Sequence, residues 1–204
     1  MDDNILLIII SVCILFIIIV GVSFAFGVPH LESPERRAGR IGERFAINVI
    51  QEILNENDVL LTNVEISADG KNTELDNVII NPNGVFIIEV KNYYGELFGT
   101  EDDYEWIKNK ITSTGNIYQQ AVKNPIKQVK RQVYIMSRLL KEQGIDVWIE
   151  GYVFFVEMNS PVESPYVLVT QRDIDEVIHN GIENKLSQAD ISEIETLLGI
   201  NSSL

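Results

Sequence analysis

The sequence predicts a single α/β domain from Arg40 onward, preceded by one transmembrane helix. Three observations carry this. Residues 5–28 contain no charged side chain and are dominated by Ile, Leu, Val and Phe. Two apolar runs rich in β-branched residues, 78–80 and 85–88, flank Asn81-Pro82-Asn83-Gly84, which reads as a β-hairpin with a four-residue connection. On either side of that hairpin, residues 41–54 and 126–140 repeat apolar residues at helical spacing.

About 20 apolar residues span a bilayer as a helix, so residues 5–28 are long enough with some tilt. The start Met1-Asp2-Asp3 is acidic, which fits a cleavable signal poorly. Basic residues follow at Arg36, Arg37, Arg40 and Arg44. By the positive-inside rule the N-terminus then lies outside and the domain in the cytoplasm, a single-pass membrane protein that meets the lipid bilayer through its first helix. The expected organisation is an anchor over 1–30, a polar linker with Pro34 over 31–38, and one domain over 39–204.

The first helix of the domain spans 41–54. Its Glu43 projects in the sector of Ala46, Ile47, Ile50 and Leu54. A carboxylate there is costly unless paired or bound to a cation; alternatively, it complements the helix dipole in the first turn and reaches solvent. A strand over 59–66 and a turn at Ala68-Asp69-Gly70 lead into the hairpin. The hairpin strands are apolar on both faces, as in a sheet covered on both sides. A short strand over 96–98 and a segment over 104–108 carrying Trp106, a core or edge aromatic, come next. Asn124-Pro125 opens a helix as N-cap and first residue, with Ile126, Val129, Val133, Met136 and Leu140 as its buried stripe. Lys123, Lys127, Lys130, Arg131, Arg138 and Lys141 share another face with Tyr134. That face either contacts phosphates or anionic lipid, or is simply solvated. Strands over 147–156 and 166–169 precede two helices opened by the capping boxes Thr170–Asp173 and Ser187–Asp190.

Composition narrows the chemistry. The net charge of −14 argues against a protein that coats nucleic acid through its overall field. A single cysteine, Cys13, and two histidines, His30 and His179, leave no thiolate zinc site and no His-rich metal centre. Chemistry must run on carboxylates, lysine and water. If Ile80 pairs with Val85, the hairpin register places Asp76 opposite Glu89, with Lys91 on the face of Glu89 and Val90 on the other. Opposed carboxylates repel, and a divalent cation with a lysine nearby would neutralise them. The competing reading is an ordinary Glu89–Lys91 ion pair where the sheet meets water.

Taken together, Gly39-Arg40-Ile41-Gly42-Glu43, Thr73-Glu74-Leu75-Asp76, Ile88-Glu89-Val90-Lys91-Asn92 with Gly95, Trp106, and Asn124-Pro125 with Gln128 resemble the nuclease-related domain (NERD) family over residues 39–143. That family is similar to the PD-(D/E)xK nuclease superfamily. The resemblance implies a central mixed sheet flanked by helices, restriction-endonuclease-like, and a catalytic set of Glu43, Asp76, Glu89 and Lys91. Asp76 and Glu89, with the Val90 carbonyl, would hold Mg²⁺ or Mn²⁺, and Lys91 would orient or activate water. Gln128 would stand on substrate. Apart from the resemblance, Lys127, Lys130 and Arg131 of the basic face are the candidate further contacts to nucleic acid, DNA favoured. Leu75 stands where the superfamily pattern has proline, and Asn77 where the family often has histidine. The alternative function is a non-catalytic nucleic-acid or protein binding module on the same fold.

Overall fold

The computed structural model describes residues 5, 11–18, 32–111, 115–157, 162–180 and 186–199. Contacts divide the chain into Met1–Arg37 and Ala38–Leu204. The expected transmembrane helix is corrected at this point. Much of 5–28 lies outside the described residues, and among the described ones no helix is long and apolar enough to cross a membrane. The single-pass assignment, the outside-to-cytoplasm orientation and the bilayer as partner are withdrawn with it.

Helix α1 spans Pro34–Gln51, so the expected linker over 31–38 is helical from Pro34. The physical cause is local. Ser33 Oγ accepts from Arg36 N at 3.3 Å and Pro34 occupies the first helical position, which suits a residue lacking an N–H. Strands β1 (Val59–Ala68), β2 (Lys71–Asn81) and β3 (Gly84–Lys91) form an antiparallel meander. Asp69 and Gly70 both take positive φ, 50° and 70°, the conformation of a type I′ two-residue hairpin. At the second hairpin Ile80 pairs with Val85 as expected, but Asn81 also pairs with Gly84. The connection is therefore Pro82-Asn83 rather than four residues, closed by Asn83 N donating to Asn81 Oδ1 at 2.9 Å.

Strands β4 (Glu96–Phe98), β5 (Glu105–Ile111) and β6 (Ile117–Lys123) build a separate three-stranded sheet. Helix α2 (Pro125–Glu142) returns the chain to β7 (Ile149–Phe155), which lies parallel to β3, with the short β8 (Val167–Leu168) parallel beside it. The main sheet has the order β1-β2-β3-β7-β8 and is mixed. Helices α3 (Gln171–His179) and α4 (Gln188–Gly199) end the described chain. The sheet is covered on both faces. One layer joins Val78, Ile80, Val85 and Ile87 to Ile126, Val129 and Met136 of α2 and Ile191 and Ile194 of α4. The other joins Ile79, Phe86, Ile88 and Val90 to Ala46 and Ile50 of α1 and Ile174 and Ile178 of α3. The expected α/β fold with a central mixed sheet and flanking helices is what forms.

Both predicted capping boxes are present. Thr170 Oγ1 accepts from Asp173 N at 3.1 Å, and Ser187 Oγ accepts from Asp190 N at 3.3 Å. Asn124 caps α2 as expected, taking Ile126 N at 2.9 Å on Oδ1. Trp106 is fully buried, stacked on Phe155 with ring centroids 6.1 Å apart. His179 closes α3 onto the chain before β1: its Nδ1 lies 2.6 Å from Asp175 Oδ1 and its Nε2 2.9 Å from Asp58 Oδ2. Burial works against the imidazolium, but the bonds to the two aspartates prevail and raise the pKa of His179.

One irregularity prepares the site. Val59 and Leu61 pack toward α2, yet so do Val64, Ile66 and Ala68, so the alternation of β1 changes phase between them. The change falls at Asn63, whose φ is +52°, a left-handed conformation that asparagine tolerates better than most residues. On β2 the same layer takes Ile80 and Val78, then Leu75. Asp76 sits at this phase change, released from strict alternation.

Candidate catalytic site at the open end of the hairpin

The β2–β3 ladder ends at Asn77–Ile88. Past that pair the strands are joined through side chains instead of backbone. Asp76 Oδ2 accepts from Val90 N at 2.7 Å, a substitute for a ladder bond that fixes this carboxylate beside Glu89. Glu89 is only 2% exposed. Its Oε1 takes the Lys91 ammonium and Gln128 Nε2 at 2.6 Å. Its Oε2 takes Gln132 Nε2, also at 2.6 Å. Gln132 is fully buried and donates its other amide hydrogen to the Glu74 carbonyl at 3.0 Å. It therefore ties the separated ends of β2 and β3 to α2.

Glu43 reaches this place because α1 runs close past the end of β3. A Cβ on Gly42 would stand 2.7 Å from Asn92 Cβ, and Asn92 Nδ2 donates to the Ala38 carbonyl at 2.8 Å. Only a glycine permits that approach. Glu43 is half-buried, between the two positions its helical phase left open.

Electrostatics match the geometry. Burial comes first, then the Glu89 carboxylate, and together with Glu43 they push Asp76 up to about 7 against the Val90 N–H bond and the Lys91 charge. Burial acts against the Lys91 ammonium, but Glu89, Tyr93 and Asp76 together outweigh it and raise Lys91. These neighbours hold Lys91 as a cation. Tyr93, also raised by burial, stands beside it, with Lys108 Nζ 4.9 Å from its ring centre.

The structure thus gathers Asp76, Glu89, Lys91, Gln128 and the Val90 backbone, with Glu43 within electrostatic reach. Lys127, Lys130 and Arg131 lie on the exposed side of α2 and are turned to local acceptors. Lys127 Nζ donates to the Asp102 carbonyl at 2.6 Å, Lys130 Nζ lies 3.5 Å from Glu101 Oε2, and Arg131 donates to the Asn72 carbonyl at 3.3 Å. Sequence reasoning missed Gln132. Its signal was a polar residue inside the apolar stripe of α2, three positions after Val129 and four before Met136.

Among the described residues no group of three or more His, Cys, Asp and Glu is arranged to hold a metal ion. The donors on offer are two carboxylates. They are hard oxygen ligands of the kind magnesium and manganese take. A cation would also offset the burial and the Glu89 repulsion that keep Asp76 protonated to near neutral pH. The residues present fit such an ion, on condition that Glu89 exchanges one of its present hydrogen bonds for it.

Residues 38–156 match the nuclease-related domain (NERD) family. An uncharacterized protein of Bacillus anthracis is 24% identical over 106 residues, covering 52% of this chain and 48% of that protein. The match thus spans about half the length of that relative. A solved structure of Can2 from Sulfobacillus thermosulfidooxidans, in complex with cyclic tetra-adenylate, aligns at 20% identity with a TM-score of 0.32, covering 80% of this chain and 37% of that one.

Proposed function

We propose that this chain, which belongs to the nuclease-related domain family, hydrolyses phosphodiester bonds in nucleic acid, DNA in preference to RNA, with Mg²⁺ or Mn²⁺. The observation that carries the reading is the convergence of Asp76, Glu89 and Lys91 where the hairpin ladder gives way to side-chain bonds. Carboxylates crowded enough to hold a proton near neutrality are poor neighbours for a phosphate and good ones for a dication.

In this reading Asp76 and Glu89 hold the ion, with the Val90 carbonyl as a further ligand. A bound divalent cation offsets the charge of the incoming phosphodiester and makes water more acidic. Lys91, kept protonated by Glu89, places its ammonium against the charge that develops on the phosphate. Gln128, half-buried at the rim, orients the substrate. Glu43 adds negative charge that strengthens the hold on the cation.

The test is cleavage of labelled DNA by the full chain. Hydrolysis with Mg²⁺ or Mn²⁺ that stops on chelation is the expected result. A chain that leaves both DNA and RNA intact with either ion would instead support the non-catalytic binding module.

A further inference from the structure

We propose that the two glutamines on α2 have different tasks toward Glu89: Gln132 is the positioning residue that fixes its carboxylate, and Gln128 is the donor that yields when a cation is bound. The assignment rests on the metal reading above and deepens it.

The two amides touch the same carboxylate at the same distance, 2.6 Å, but their surroundings differ. Gln132 is fully buried, and its Nε2 donates to two acceptors, Glu89 Oε2 and the Glu74 carbonyl. Only the amide nitrogen can serve two acceptors, so its orientation is fixed by chemistry. Its Oε1 is buried without a hydrogen-bond partner among the described residues. A polar atom is left unsatisfied in the core, and what the arrangement gains is a rigid hold on Glu89 and on the end of β2. Removing Gln132 would leave Glu89 Oε2 and the Glu74 carbonyl without this donor in a dry place.

Gln128 is one turn earlier and half-buried. It shares Glu89 Oε1 with Lys91, so this oxygen keeps a donor if Gln128 turns away. A cation ligated by Glu89 needs one oxygen with an exchangeable partner. Oε1 has one and Oε2 does not. Gln128, once displaced, has its amide free to meet the substrate, which links occupation of the site to substrate contact.

The experiment is a calorimetric Mn²⁺ titration of the full chain, wild type beside Gln132→Leu, Gln128→Leu and Val129→Ala. Groups that orient a metal ligand typically contribute 10–100-fold in affinity, so Gln132→Leu should weaken Mn²⁺ by about that factor. Gln128→Leu should bind Mn²⁺ as tightly as wild type or more tightly. Val129→Ala, a cavity in the same buried face of α2 that touches neither carboxylate bond, should lower the melting temperature and leave Mn²⁺ affinity unchanged. That separates positioning from general loosening of the helix. Wild-type binding with an unaltered Gln132→Leu, or equal weakening in both glutamine variants, overturns the division of roles alone. Absence of Mn²⁺ binding by wild type overturns the metal reading and this assignment together.

Discussion

In the absence of divalent cations, Asp76→Asn is expected to stabilise the chain at pH 8 by about 2–4 kcal/mol. The folded protein raises Asp76 from 3.8 to about 7. At about 1.4 kcal/mol per unit this sets a ceiling of about 4 kcal/mol, and relaxation of the neighbouring carboxylates brings the figure down. The sign follows from proton linkage. Between the two values the folded state holds a proton that the unfolded state has released, so stability falls as pH rises through this window. Above about pH 7 the penalty is fully present, and below about pH 4 it is absent. Asparagine is neutral throughout and its side-chain oxygen can still accept from Val90 N, so it removes the penalty and keeps the bond. Chemical denaturation at pH 8 and pH 4 in EDTA checks this. A gain confined to the alkaline side is expected; no gain at pH 8, or a larger gain at pH 4, contradicts it. The same variant should lose cation-dependent cleavage, since the group that destabilises the empty site is the one proposed to hold the ion.

Lys91→Met is expected to reduce the rate of DNA cleavage by about 10²–10⁴-fold at saturating Mg²⁺, the range a positioned charged or acid–base group contributes. Methionine keeps much of the apolar length of the lysine stem, so the change is chiefly loss of charge. Gln132 still holds Glu89 Oε2, and removing a cation from beside Glu89 should leave Mn²⁺ affinity equal or greater. Loss of turnover with preserved metal binding is the signature of a residue acting on the transition state. Single-turnover kinetics together with the Mn²⁺ titration tests both parts. Cleavage at the wild-type rate, or activity lost only in proportion to lost metal, would show that Lys91 serves structure alone.

Much of this site was legible in sixteen residues. The register of β2 on β3 follows from Asn-Pro-Asn-Gly and the apolar runs beside it, and it brings Asp76 next to Glu89 and Lys91 without reference to the rest of the chain. The details that alternation cannot supply were not legible. Asp76 leaves the β2–β3 ladder across from Asn63, where β1 changes phase, a local conformational choice with no period of its own. Gln132 stands in an apolar stripe where polarity signals a partner but does not name it, and its partners lie far away in sequence. The start of α1 was misplaced although Ser33-Pro34 is a sound capping signal, because a polar, arginine-rich stretch read as linker. Strand β6 went unseen since its residues are largely exposed and give no alternation to read. The apolar N-terminal run supports no membrane crossing among the described residues.

The central claim is that Asp76 and Glu89 jointly hold a divalent cation, and calorimetric titration of the full chain with Mn²⁺ addresses it most directly. Saturable binding by wild type, weakened at least tenfold in both Asp76→Asn and Glu89→Gln, is the result expected from ligands whose loss typically costs that much or more. Wild-type protein that takes up no Mn²⁺, or variants that bind it as wild type does, would contradict the claim.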